Sequence, residues 1–321
     1  MPKSAVINLL FDKGQHLFET ENIDVLPRHI QDAFPLDQFV GHLAYHAMML
    51  EVHLTPKPGL VDTANQGAHH DMDLALFVRS AEVLAPYMVS FVRAGWLYHH
   101  QPLSSLLAQL RPIGIDAEVA MFQATSGINT HKGMIFSMGL ICGVVGWLKA
   151  NQQAVSAQAI SAAVSQCCQH LVFDELRQIK RRVPMTQGEK LYQQYGVTGA
   201  RGEAASGFET IINHALPVYQ STIAQGVSTE QALWQTLLVL IAHNQDTNLL
   251  SRGGMAGLVY VQQYASNLLA SGGIARPDIE MALNQFDRCL IERHLSPGGS
   301  ADLLAVTWLI AELEQVFVPT D

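Results

Sequence analysis

Lys132-Gly-Met-Ile-Phe-Ser-Met-Gly-Leu-Ile-Cys-Gly-Val-Val-Gly-Trp-Leu-Lys-Ala150 is the stretch on which the fold turns. The segment from Gly133 to Leu148 is the longest apolar run in the chain. It is short for a membrane-spanning helix. Gly133, Gly139, Gly143 and Gly146 interrupt it at spacings that let another helix approach closely. These features predict a helix buried in the core of a soluble protein.

The sequence on either side has the same helical period. In Gln38 to Leu54, residues Val40, Leu43, Ala47, Leu50 and Leu54 form one apolar stripe, which Thr-Pro-Lys-Pro-Gly ends. Asp71 to His100 reads as a long helix bent at Pro86. Leu103 to Leu110 reads as a helix broken at Arg111-Pro-Ile-Gly114 and resumed from Asp116 to Gln123. Ser156 to Arg182, Glu203 to Tyr219, Thr229 to Leu250, Met255 to Ala270, Pro277 to His294 and Ser300 to Phe317 follow the same pattern. No Asn-Gly or Asp-Gly hairpin and no alternating β-branched run is present. The expectation is an all-α protein with a single globular domain of roughly ten or more helices over residues 38–321. Residues 1–37 are more polar and are expected to form a small helical appendage at the N-terminus.

With 321 residues, 49% of them apolar, the chain is long enough to bury a sizeable core. The formal net charge of −9 argues against general binding to nucleic acid or to anionic membranes. The cysteines, Cys142, Cys167, Cys168 and Cys289, lack metal-ligand spacing and read as reduced thiols. No basic region followed by an apolar stretch opens the chain, so a cytoplasmic location is expected.

Chemistry is concentrated in polar islands between the apolar helices. Lys57 sits between two prolines and before Gly59, on a stiff loop that would lose little entropy on gripping a phosphate. His69-His-Asp-Met-Asp73 holds more carboxylate than helix capping requires. Oxygen ligands of this kind suit Mg²⁺, which takes one or two carboxylates together with substrate phosphates. Asn129-Thr-His-Lys132 enters the glycine-rich helix, where free N–H groups and a Lys favour an anion. Gly199-Ala-Arg-Gly-Glu203 repeats the device with Arg201, a bidentate binder of phosphate or carboxylate. Asp246-Thr-Asn248 follows a strongly apolar run, and its acid and amide need partners, for which Arg252 is one candidate. Each island also has a plain structural reading as a cap, a turn or an ion pair. Together they suggest one site for a polyanion and a metal.

The islands resemble the triphosphoribosyl-dephospho-coenzyme A synthase family, whose members serve citrate lyase and malonate decarboxylase. The resemblance runs from about Gln38 to Phe317. It rests on Leu54-Thr-Pro-Lys-Pro-Gly-Leu-Val-Asp62 with Gly67-Ala-His-His-Asp-Met-Asp73, and on Gly127-Ile-Asn-Thr-His-Lys-Gly133. It rests also on Gly199-Ala-Arg-Gly-Glu-Ala204 with Gly207-Phe208, on Asp246-Thr-Asn248 with Arg252-Gly-Gly254, and on Gly298-Gly-Ser-Ala-Asp-Leu-Leu304. Ser126, Glu209 and Ser251 stand where the family commonly has Gly, Pro and His.

The resemblance implies an all-α transferase that joins ATP to 3′-dephospho-coenzyme A. The ribose 2′-hydroxyl of the latter would displace adenine from C1′ of ATP. The product would pass to a transferase acting on an acyl carrier protein. Under this reading Lys57, Asn129, Lys132, Arg201, Asn248 and Arg252 are candidates for substrate binding. Asp71, Asp73, Glu203 and His69 are candidates for catalysis, with Asp73 and Asp246 holding Mg²⁺. A homodimer is a further expectation. Two competing expectations are a helical Mg²⁺-dependent hydrolase of phosphate or ADP-ribosyl bonds and an all-α scaffold for an acyl carrier subunit.

Overall fold

The computed structural model describes residues 35–177 and 185–317. Among these the protein is helical, with no strand. The α-helices are α1 (Leu36–His53), α2 (Leu74–Leu97), α3 (Leu103–Ala124), α4 (Lys132–Ala150), α5 (Ala157–Cys168) and α6 (Gln187–Tyr195). They continue with α7 (Gly199–Ser206), α8 (Leu216–Ala224), α9 (Thr229–His243), α10 (Thr247–Ala270), α11 (Ile279–Glu292) and α12 (Gly298–Phe317). The expected appendage over 1–37 lies outside the described residues except for its last three, of which Leu36 and Asp37 open α1.

The glycine-rich α4 lies at the centre. It packs chiefly on α2, with α1, α3, α5 and α12 also touching it. The contact with α2 is close because both helices lack Cβ atoms at the crossing: a Cβ on Gly95 would overlap the Gly143 carbonyl, and one on Gly146 would overlap that of Val92. Ala81, Leu84, Met88 and Val92 recur at three- and four-residue steps on α2 and are fully buried. Burying one such large side chain is worth about 1.5–3 kcal/mol. Both α2 and α4 are long and apolar enough to cross a membrane, but 72% of the apolar window of α4 is covered by the rest of the protein, which makes it a core helix. The second half of the chain closes the same core through α9 and α12.

Several boundaries differ from expectation. α3 runs unbroken through Pro112. Proline removes one backbone hydrogen bond, but Leu106, Leu110, Ala117 and Met121 keep a buried stripe on both sides of it. Glu203 to Tyr219 is divided into α7 and α8 by a wide turn at Ile211–Ala215. The expected Thr229–Leu250 helix ends at His243, and Thr247 begins a new one that continues to Ala270 across a break at Gly254 (φ 59°, ψ −162°). Helix α6 had no counterpart in the apolar pattern. Its start is a capping box in which Thr186 accepts from Glu189 N and Glu189 accepts from Thr186 N. Part of the expected Ser156–Arg182 helix lies outside the described residues; α5 ends at Cys168 and a wide turn covers Phe173–Arg177.

Candidate functional site

A cavity of about 840 Å³ opens where the N-terminal ends of α4, α7, α10 and α12 meet the loop between α1 and α2. Lys57 and His69 reach it from that loop, and Asn129 and Lys132 from the start of α4. Arg201 and Glu203 come from α7, and Asp246, Asn248 and Arg252 from α10. Asp71 and Asp73 are not part of the lining, although Met72 between them is. Both are exposed, and Asp73 caps α2 by accepting from Leu76 N at 2.8 Å.

The loop is built by its own carboxylates. Asp62 accepts from the backbone N–H groups of Lys57, Ala64 and Asn65 at 2.8–3.0 Å. Asp287 of α11 accepts from Gly59 N and from Asn65 Nδ2. The rigid turn carries Lys57 into the interior, where its ammonium donates to Glu51 at 2.5 Å with both side chains almost fully buried. Lys57 is therefore already neutralised by a partner on α1 that lies outside the apolar stripe of that helix.

His69 is held at both ring nitrogens. Nε2 meets Ser296 Oγ at 2.9 Å, and Nδ1 accepts from Arg252 Nη2 at 3.0 Å. Burial and the neighbouring guanidinium push its pKa down to about 4, so the ring is neutral at pH 7. Arg252 also donates to the carbonyls of Ala68 and His294, which fastens the loop to α10.

Asp246 is buried and caps α10. It accepts from Asn248 N and Leu249 N, and from Ser300 N and Oγ at the start of α12. Burial raises its pKa, while those hydrogen bonds oppose the rise. Near it, Asp302 accepts no hydrogen bond from the described residues. Its carboxylate lies against Gly133, where a Cβ would overlap it. Burial, then the charges of Glu51 and Asp246, hold its pKa well above the ordinary value.

At the other side of the cavity, Glu175 accepts from Arg201 Nε at 2.8 Å and from Arg111 Nη2 at 2.5 Å. Burial alone would raise the Glu175 pKa, but the two guanidinium groups outweigh it and the net shift is downward. Lys132 pairs with Glu118 at 2.7 Å. Asn129 accepts from Lys132 N at 3.2 Å, which orders the entry to α4. Glu203 accepts from Thr210 Oγ1 and N, and burial raises its pKa against those bonds.

The sequence reading missed Glu51, Arg111, His131, Glu175 and Asp302, all of which line the cavity. His131 and Asp302 lie inside the Gly127–Gly133 and Gly298–Leu304 motifs, where nothing local distinguishes them from their neighbours. Glu51 and Arg111 sit on helices and Glu175 in the wide turn Phe173–Arg177, none in a local motif, and only tertiary contact reveals them. Among the described residues, no three His, Cys, Asp or Glu side chains converge as a ready-made metal cage.

Comparison with known proteins gives a consistent result. The family of ATP:dephospho-CoA triphosphoribosyl transferases, CitG, matches residues 37–320. A probable 2-(5″-triphosphoribosyl)-3′-dephosphocoenzyme-A synthase of Vibrio cholerae is 64% identical over 88% of this chain and 91% of its own length. A probable synthase of the same name from Photobacterium profundum is 53% identical over 98% of both chains. The synthase of Pectobacterium atrosepticum is 53% identical over 86% of this chain and 88% of its own. No solved structure matches. The motifs that border the cavity and this near-complete coverage lead to one conclusion: the chain belongs to the ATP:dephospho-CoA triphosphoribosyl transferase family.

Proposed function

We infer that the protein joins ATP to 3′-dephospho-coenzyme A, forming 2′-(5″-triphosphoribosyl)-3′-dephospho-coenzyme A and releasing adenine. The family match over residues 37–320 carries this reading and favours it over the hydrolase and scaffold alternatives. The cavity supports it: Lys57, Lys132, Arg201 and Arg252, from four separate segments, border one space.

In this reaction the triphosphate is retained and serves as a handle. Arg111, Lys132, Arg201 and Arg252 form its cradle; the first three have carboxylate partners, Glu175 and Glu118, that a triphosphate can displace or share. The C1′–N9 bond breaks with development of positive charge at C1′, as in glycoside cleavage. Glu203, raised by burial, is suited to accept the proton of the attacking 2′-hydroxyl. Adenine gains a proton as that hydroxyl loses one, so the sum balances.

The donor chemistry fits Mg²⁺, which binds through few carboxylates and several phosphate oxygens. Asp302, whose carboxylate accepts no hydrogen bond from the described residues, would hold the ion, with Asn248 also on the wall. Asp246, the ligand expected with Asp73, already accepts several protein hydrogen bonds. The ion would supply charge neutralisation on the triphosphate.

A cytoplasmic setting fits the four unpaired cysteines. Delivery of the product to a transferase acting on an acyl carrier protein, and a homodimeric assembly, belong to the same proposal. The test is chromatography of a reaction containing ATP, Mg²⁺ and dephospho-coenzyme A. Free adenine and a heavier nucleotide are expected only when both substrates are present. Full-speed consumption of ATP alone would favour the hydrolase.

A further inference from the structure

His131 is almost completely buried, at 1% exposure, yet it belongs to the cavity wall. Its Nδ1 lies 2.7 Å from Ser80 Oγ. Its Nε2 is buried and has no hydrogen-bond partner among the described residues. Leaving such an atom unsatisfied costs stability, and a site that bears the cost is a candidate for ligand binding.

The neighbouring hydroxyls set the tautomer. Thr130 Oγ1 donates to Ser80 Oγ at 2.7 Å. Ser80 then has its own proton to give, and His131 Nδ1 is the acceptor beside it. With Nδ1 accepting, the ring proton resides on Nε2, and Nε2–H is a donor without an acceptor. Burial, and secondarily the charge of Lys57, hold the pKa at about 3, so the imidazole is neutral.

The surroundings indicate what the donor serves. Phe77, also on the wall, meets the His131 ring edge-on with centroids 5.0 Å apart. Met72 and Met134 add apolar surface to the lining. Among the described residues the cation acting on His131 is Lys57, and Glu51 neutralises it. The niche thus combines aromatic and apolar surface with a neutral donor and a balanced charge pair. A triphosphate is better matched by the Arg111–Glu175–Arg201 group, which holds two cations against one anion. An uncharged planar base with ring acceptors matches the His131 niche. His69, the histidine in the sequence motif, has both nitrogens engaged and cannot offer the same donor.

We propose that His131 is a catalytic residue whose Nε2–H donates a hydrogen bond to a ring nitrogen of the departing adenine. The proposal rests on the transferase reading above. When the C1′–N9 bond breaks, its electron pair passes to the purine and spreads to N3 and N7. A donor fixed at one of these atoms strengthens its bond as charge accumulates there. His131 keeps its proton throughout.

The test compares ATP, 7-deaza-ATP and 3-deaza-ATP, each with Mg²⁺ and dephospho-coenzyme A, by measuring release of the free base. The wild type is expected to be slower by about 10²-fold with the analogue that lacks the bonded nitrogen. His131→Phe keeps a ring but removes the donor. It is expected to lose about 10²-fold with ATP and little further with that same analogue. His131→Gln can restore an N–H and should recover part of the loss. Equal wild-type rates on all three nucleotides would overturn the proposal, and this arm needs no variant to fold. Multiplying losses for variant and analogue would also overturn it. No adenine from wild type and ATP would instead overturn the transferase reading, and the proposal with it.

Discussion

The Lys57 ammonium donates a hydrogen bond to the Glu51 carboxylate in the interior, 2.5 Å from nitrogen to oxygen, with only 2% and 4% of the side chains exposed. Removing one member leaves the other charge buried and unpaired. Glu51→Ala is expected to cost about 3–5 kcal/mol, measured by urea denaturation. Replacing both by apolar residues, as in Glu51→Leu with Lys57→Met, should recover much of that stability because no lone charge remains. Activity should not return, since Lys57 borders the cavity. A double variant no more stable than Glu51→Ala would show that the pair does not act as a unit.

Asp302 and Gly133 make a second close relationship. A methyl group at 133 would collide with the Asp302 carboxylate. Gly133→Ala is therefore expected to reduce adenine release while helical circular dichroism persists. Asp302 also sets a pH effect in the metal-free protein. Its folded-state pKa is raised, so the folded form binds the proton more tightly than the unfolded form. Stability should fall as pH rises from the ordinary carboxylate range near 4 towards the raised value. Asp302→Asn should be less sensitive over that window and more stable than wild type at its upper end. Identical urea midpoints for the two proteins across pH 4–8 would refute this.

The helices were largely legible because apolar residues recur at helical spacing and the chain has no competing strand pattern. The break predicted at Pro112 was wrong because tertiary burial on both sides of the proline outweighs one missing hydrogen bond. Helix α6 was overlooked although Thr186-Gln-Gly-Glu189 is a readable capping box. In the site, helix-breaking motifs pointed to Lys57, Arg201 and Arg252 because polar turns must be satisfied where helices end. Their partners were not legible. Glu175 meets Arg201 only because the fold joins two helical segments, and nothing in the local sequence of Glu175 distinguishes it from an exposed helix residue.

His69 gives an acid-sensitive feature. Its folded-state pKa of about 4 lies below the ordinary value of 6.5. The unfolded chain therefore takes up a proton first as pH falls, and stability is lost between about pH 6.5 and 4. His46, also lowered to about 4 by burial, and His131 act in the same direction. His69→Gln can keep a side-chain hydrogen bond without titrating. The slope of stability against pH should decrease by up to one proton in that window. An unchanged slope in denaturation series at several pH values would count against the neutral assignment.

Arg201 and Glu203 lie on one short helix but face different tasks. Arg201 is fixed through Nε to Glu175, whereas Glu203 is turned to Thr210. Arg201→Lys loses the planar fork and should raise the KM for ATP by about tenfold, with a smaller change in kcat, because the handle is gripped less well in ground and transition states alike. Glu203→Gln retains an oxygen for Thr210 but cannot accept the hydroxyl proton. Its kcat should fall by about 10²–10⁴ with KM little changed. Steady-state rates of adenine release at varied ATP distinguish the two. If Glu203→Gln altered KM alone, the residue would be a binding group and the proton acceptor would have to be sought elsewhere on the wall.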